Sequence, residues 1–243
     1  GLLGGALFVL LFLEHGAIWG AWRAAGELGA RAGRTAAKLW PALLVVAVVF
    51  LVASWFATPL YGNYLSTPLL WIFPLLAVAG LYIGFFLAPT DFQQSEAYRI
   101  IFIHVPASWM SMFIYVVMAV WAAIGLAFNT RLSFMMASAL APTGAMLTFV
   151  ALWTGALWGK PTWGTWWVWD ARLTSELILF FLYIGFMALQ AAIDDPRRAD
   201  RAGALIALVG VVNVPIIYFS VKWWNTLHQG ASVSLTKAPS MAT

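Results

Sequence analysis

Trp158-Gly-Lys-Pro-Thr-Trp163-Gly-Thr-Trp166-Trp167-Val-Trp169-Asp170 separates two apolar stretches, 133–157 and 173–193. Each flank is long enough to cross a bilayer as a helix, which takes about 20 residues. The run between them holds five of the chain's fifteen tryptophans in twelve residues. Stacking that many indoles inside a span gains nothing. At a membrane–water boundary they form a flat amphipathic platform, suited to a large, flat, apolar ligand.

The composition sets the class. The chain is 63% hydrophobic and 9% charged, with a mean hydropathy of +0.87, whereas soluble domains carry about 25% charged residues. Its apolar runs are continuous and do not alternate, so the reading is an all-α polytopic transmembrane bundle and not a barrel. Seven apolar segments emerge, at roughly 1–22, 40–58, 69–88, 105–127, 133–157, 173–193 and 203–221. Four longer connections join them or follow them, at 23–39, 89–104, 158–172 and 222–243, and the polar end 231–243 reads as a disordered tail. There is no cysteine, which excludes disulfides, thiolate metal sites and a thioether to a cofactor within these residues. The net charge of +4 resides mostly in loops, where it signals topology and not nucleic-acid binding. The start lacks Met and a basic flank, as in a fragment or processed chain and not a signal peptide.

Charge and alternation disagree along the chain. Alternation puts the four longer connections on one face, with Arg23, Arg31, Arg34, Lys38, Arg99, Lys160, Arg172, Lys222 and Lys237. The other face has Arg131, Arg197, Arg198 and Arg201. The positive-inside rule then puts the first face in the cytoplasm. Without the first connection the count is five against four, and the dense cluster Asp194-Asp-Pro-Arg-Arg-Ala-Asp-Arg201 favours the reverse. Residues 1–65 and 66–243 therefore disagree about which side is inside: either one early segment does not span, or the N-terminal part belongs to a separate topological unit.

Few residues here carry chemistry. His104 lies at the mouth of a span beside Pro106, whose missing N–H suits the first turn of a helix. His228 follows another span, and alternation places both histidines on the tryptophan face. Imidazole is a common axial ligand of haem iron. Taken singly, an interfacial histidine is more often a hydrogen-bonded structural residue, and an interfacial tryptophan an anchor. Five indoles in one connection exceed what anchoring needs. Asp170 suits a helix N-cap. Arg172 and Lys160, and less directly Arg99, are candidates to pair with ligand carboxylates such as haem propionates. Glu176 must face the bundle interior or a polar cavity. Glu14-His15, inside the first apolar segment, is either a further polar site for haem or quinone or the cap of a segment that does not span.

Residues 69–230 resemble cytochrome c maturation protein C (CcmC), the haem-handling member of the tryptophan-rich WWD family. The resemblance lies in Ala88-Pro-Thr-Asp-Phe-Gln-Gln94, Tyr98-Arg-Ile-Ile-Phe-Ile-His104-Val-Pro106, Trp158 through Glu176, Asn213-Val-Pro-Ile-Ile-Tyr218 and Lys222-Trp-Trp-Asn-Thr-Leu-His-Gln-Gly230. It implies a carrier and not an enzyme. Such a protein presents non-covalent haem b at the outer face of the bacterial inner membrane and helps load the haem chaperone CcmE. His104 and His228 would be the axial ligands. Trp158, Trp163, Trp166, Trp167, Trp169 and Asp170 would supply the platform and chaperone contact. The implied partners are the ABC-type ATPase CcmA, the membrane subunit CcmB and the small protein CcmD. The chain has no Walker A motif, so ATP would be used by a partner.

The resemblance has two departures. The family's sixth span, after the second histidine, has no counterpart here. Residues 1–65, with Leu7-Phe-Val-Leu-Leu-Phe-Leu-Glu14-His15-Gly-Ala-Ile-Trp19 and Leu39-Trp40-Pro41, instead resemble part of subunit II of a cytochrome bd quinol oxidase. The expected organisation is a two-segment membrane region over 1–65, a haem-handling domain over 66–230 and the tail. The competing function is a subunit of a quinol oxidase or other haem/quinone redox complex.

Overall fold

The computed structural model describes residues 26–228 continuously, and before them Leu3, Ala6, Leu7, Leu10, Leu13, Glu14 and Ala17. The described residues are helical, with six stretches long and apolar enough to cross a membrane: Gly26–Ala57, Pro68–Leu87, Glu96–Phe128, Arg131–Trp163, Ala171–Ala192 and Pro196–Trp223. These match the last six of the seven segments read from the sequence. The first segment, including His15, lies largely outside the described residues; Glu14 is buried, and its Oε2 has no hydrogen-bond partner among the described residues. The chain divides into two compact units, Gly1–Ala79 and Gly80–Thr243.

In the first unit, α1 (Gly26–Ala57) overturns the expected loop at 23–39: from Gly26 onward that stretch is helix. Its Ala, Arg and Leu content favours helix, and Glu27 and Arg31 lie one turn apart at 3.9 Å. The apolar half, including Val48, Val52 and Phe56, is exposed, as suits a surface solvated by lipid tails. α2 (Leu60–Ser66) folds back so that Tyr61 stacks at 5.1 Å on Trp55 and donates to the Leu51 carbonyl. A 3-10 turn, Pro68–Trp71, leads into α3 (Ile72–Tyr82).

The second unit opens with a π-turn, Ile83–Leu87. There the Ala88 N–H bonds to the Ile83 carbonyl, not to that of Gly84 as an α-turn requires. The freed Gly84 carbonyl accepts a 2.8 Å bond from Arg99, which also pairs with Glu96. Arg99 is thus a tether within 84–99 and not an open carboxylate clamp. A 3-10 turn, Glu96–Ile100, runs directly into α4 (Ile101–Phe128). Helical backbone therefore begins well before Pro106, which lies inside the helix and not in its first turn as the sequence suggested; its missing N–H removes a bond to Phe102.

α5 (Arg131–Trp163) and α6 (Ala171–Ala192) follow. The tryptophan run is not wholly a loop, because α5 continues to Trp163 and ends at Gly164 with a positive φ of 80°. That left-handed position costs glycine nothing and closes the helix with a Gly164 N–H to Lys160 carbonyl bond. The last apolar segment is two helices, α7 (Pro196–Gly210) and α8 (Asn213–Trp223), broken at Val211–Val212. Pro215 explains the break, since its ring and missing N–H are incompatible with a continuous bond to Val211. α7 also takes in most of the expected loop Asp194–Arg201, because Asp195 caps it and Pro196 suits its first position.

α4 and α5 form the tightest pair of the unit, with α6, α7 and α8 packed around them. Lipid tails are as apolar as leucine, so close approach, not water expulsion, must hold the helices together. Small residues allow it: Ala119, Ala122, Ala137, Ala141 and Ala145 are all buried. Gly144 has no side chain because the Tyr183 ring occupies that space. Tyr183 donates to the Ser111 carbonyl at 2.8 Å and meets Tyr115 edge-on at 4.9 Å. Ser138 and Gln190 bond between α5 and α6 at 3.0 Å. Interhelical bonds of this kind contribute about 0.6 kcal/mol each on average.

Candidate functional site

Helical spacing brings polar residues to one end of the second unit. His104, Ser108 and Ser111 lie at i, i+4 and i+7 on α4. Ala151, Gly155 and Trp158 do so on α5, and Arg172 and Glu176 are one turn apart on α6. His104, Ser108, Gly155, Arg172, Glu176 and His228 line one open cleft of about 320 Å³, counting its mouth. An adjoining cleft of about 200 Å³ is walled by Trp163, Trp166 and Trp167. Both histidines and the tryptophan run therefore share one end of the unit, as alternation predicted.

The two histidines are held differently. His104 Nδ1 lies 3.0 Å from the Ala151 carbonyl and 3.1 Å from Thr154 Oγ1. A carbonyl only accepts, so Nδ1 carries the proton and Nε2 keeps a lone pair for a ligand. Its ring meets Trp158 edge-on at 5.7 Å, and Trp158 Nε1 donates to Gln94 at 2.6 Å. Gly155 faces the same ring: a methyl there would lie 2.9 Å from His104 Cε1.

His228 follows α8 on non-helical backbone, with Trp163 5.2 Å from its ring. Its Nδ1 is buried without a hydrogen-bond partner among the described residues; Asp170 Oδ2 is 3.9 Å away. Burial, and then the Arg172 charge, push this imidazole down to about 4, against the opposing pull of Asp170. Asp170 itself does two jobs. Oδ1 caps α6 through the Leu173 N–H at 2.8 Å, and Oδ2 accepts from the Leu227 N–H at 3.1 Å. It thereby ties the His228 segment to the end of the tryptophan run.

Arg172 donates to the Ile217 carbonyl at 2.8 Å and forms no ion pair among the described residues. An unpaired guanidinium lining a cleft is a ready partner for a ligand carboxylate. Glu176 is buried, as its position demanded; Ser111 donates to Oε1 at 2.8 Å, and Oε2 has no partner. Lys160 instead closes α5, donating to the Gly164 carbonyl at 3.0 Å and lying 5.9 Å from the Trp166 ring.

The five indoles do not form one flat floor. Trp158 and Trp163 stand beside the histidines, Trp167 and Trp169 meet at 78°, and Trp166 and Trp169 are exposed. The cause is the helix end at Trp163: the indoles up to it follow a helical spiral, and those after it follow non-helical backbone. Ser108, Ser111, Thr154 and Gly155 were not singled out from the sequence, although polar and small residues at helical spacing from His104 and Trp158 were the available signal.

The family model described as haem exporter protein C (CcmC) matches residues 54–243. The chain belongs to the CcmC family. That match starts upstream of residue 66, where the sequence reading began its haem-handling domain. Proteins named haem exporter protein C are similar to it. The one from Escherichia coli strain K12 is 55% identical over 169 residues, 67% of this chain and 69% of that protein. The one from Bradyrhizobium diazoefficiens is 56% identical over 159 residues, 65% and 60% of the two chains. The one from Haemophilus influenzae is 48% identical over 168 residues, 69% and 68%. The cleft lies wholly within residues 54–243, the range that the family model matches.

Proposed function

We propose that this CcmC-family chain is a haem carrier of cytochrome c maturation, holding non-covalent haem b in the His104–His228 cleft and passing it to the chaperone CcmE. The observation that carries the reading is a pair of histidines lining one cleft, with His104 held at Nδ1 so that Nε2 is left for a ligand, beside an arginine that has no ion-pair partner among the described residues. Neutral imidazole nitrogens suit haem iron. Arg172 suits a propionate, and Trp158 and Trp163 suit the porphyrin edge. The relatives' name, haem exporter protein C, supports the same cargo.

The residues act by holding and not by turnover. His104, fixed on α4, is the rigid ligand. His228, on non-helical backbone, can follow the cargo in and out. Trp166 and Trp169, exposed at the rim, offer apolar surface to the chaperone. Arg131, Arg197, Arg198 and Arg201 cluster at the end away from the cleft, while of the cleft-end cations Arg99 pairs with Glu96, Lys160 bonds the Gly164 carbonyl and Arg172 the Ile217 carbonyl. Under the positive-inside rule this supports a cleft on the periplasmic side of the inner membrane. CcmA, CcmB and CcmD are the expected partners, with ATP hydrolysis left to CcmA. Residues 66–230 form the haem-handling part in this reading, and 1–65 a separate membrane region.

The test is the visible spectrum of the chain purified with haem, followed by transfer to CcmE. A bis-histidine spectrum lost in both His104→Ala and His228→Ala is expected, with haem appearing on added CcmE. Full haem retention in both variants refutes the ligand assignment.

A further inference from the structure

The two imidazoles differ in what stands behind them. Behind His104 is a neutral backbone carbonyl, already in hydrogen-bond contact. Behind His228 is a carboxylate, and the facing ring nitrogen is buried without a partner. The Asp170 side chain is only 6% exposed and is fixed from two directions, by the Leu173 and Leu227 N–H groups. The 3.9 Å gap between Asp170 Oδ2 and His228 Nδ1 exceeds a charge-assisted hydrogen bond by about 1 Å. The His228 ring sits on non-helical backbone, so closing that gap asks for a turn of the ring and no movement of a helix.

We infer that Asp170 is a positioning residue for His228, accepting a hydrogen bond from Nδ1–H and so aiming Nε2 into the cleft. This rests on the haem-carrier reading above. A carboxylate behind a ligating imidazole fixes its tautomer and raises its donor strength more than a carbonyl does. The two ligands of the iron are therefore unequal, and the stronger donor is the one on the less rigid segment. Stronger donation favours the ferric state, so Asp170 lowers the midpoint potential of the bound haem. Asp170 also ends the tryptophan run, so displacement of that run moves the group that aims His228.

The experiment uses the full chain purified with haem. Asp170→Asn keeps an N-cap side chain but replaces the carboxylate by a neutral amide. A retained bis-histidine spectrum with a midpoint potential above that of the parent is expected. Ser138→Ala, on α5 but bonded to Gln190 outside the cleft, is expected to leave the potential where it was. An unchanged potential in Asp170→Asn overturns the inference. A second measurement covers the case in which Asp170→Asn cannot hold haem. In His228→Gly with Asp170 intact, imidazole added in solution can donate a hydrogen bond from its far nitrogen, whereas 1-methylimidazole cannot. Imidazole is expected to restore the bis-histidine spectrum at roughly tenfold lower concentration; equal concentrations overturn the inference. If His228→Ala retains the parent spectrum, the carrier reading with this ligand fails, and that result is distinct from an unchanged potential.

Discussion

Gly155→Ala tests whether α5 sets the aim of His104. The added methyl would stand 2.9 Å from His104 Cε1, while carbon atoms rest at about 3.5–4.0 Å. The ring must retreat from α5 by roughly 0.6 Å. Ala151, whose carbonyl holds Nδ1 at 3.0 Å, is on the same helix. That retreat therefore stretches the bond to about 3.6 Å, beyond hydrogen-bond range. Losing the bond costs about 1 kcal/mol, and misaiming a ligand through its supporting contact typically costs 10- to 100-fold in affinity. Alanine in a helix interior is also about 1 kcal/mol more favourable than glycine. The expected outcome is opposed changes: haem affinity falls at least tenfold by spectral titration, while thermal stability of the haem-free protein in detergent holds or rises. Parent-like haem affinity in Gly155→Ala would refute the claim that α5 holds the ring in place.

Three other outcomes are expected. Arg172→Ala should weaken binding of haem but not of its dimethyl ester, which carries no charged carboxylates; equal losses for both exclude a propionate role. Ser111→Ala strips the one hydrogen bond of the buried Glu176 carboxyl and should destabilise the protein by about 1–3 kcal/mol, with Ser111→Ala/Glu176→Met less affected in thermal unfolding; an additive or larger loss in the double variant contradicts this. For His228, whose ring stays neutral to about 4 in the fold, the unfolded chain takes up the proton first, near pH 6.5. Stability of the haem-free protein should thus be insensitive to this group above about pH 6.5 and fall by about 1.4 kcal/mol per pH unit between there and about pH 4; His228→Ala should fall less steeply in pH-dependent unfolding, and equal slopes remove the effect.

Much of this protein was legible from patterns that act along the chain. Apolar run length located the six described spans, because the bilayer thickness fixes how many residues a helix needs. The position of Glu176 inside a span required an inward face, and Ser111 meets it there. Boundaries were less legible. The stretch from Gly26 to Lys38 has the charge of a loop, yet charged residues are good helix formers and α1 projects past its apolar half. The helix end at Trp163 was hidden because apolarity continues across it, and only Gly164 marks the stop.

The sequence by itself determined a membrane helical bundle, two histidines on the tryptophan side, and an arginine near them, because these follow from hydropathy and alternation. Tertiary structure alone decided that His104 is held by the Ala151 carbonyl, that Arg172 bonds the Ile217 carbonyl, and that Asp170 stands behind His228. Those relations join residues dozens of positions apart on different segments of the fold. No local pattern encodes them, since they depend on how far each helix turns and where Gly164 and Pro215 break it.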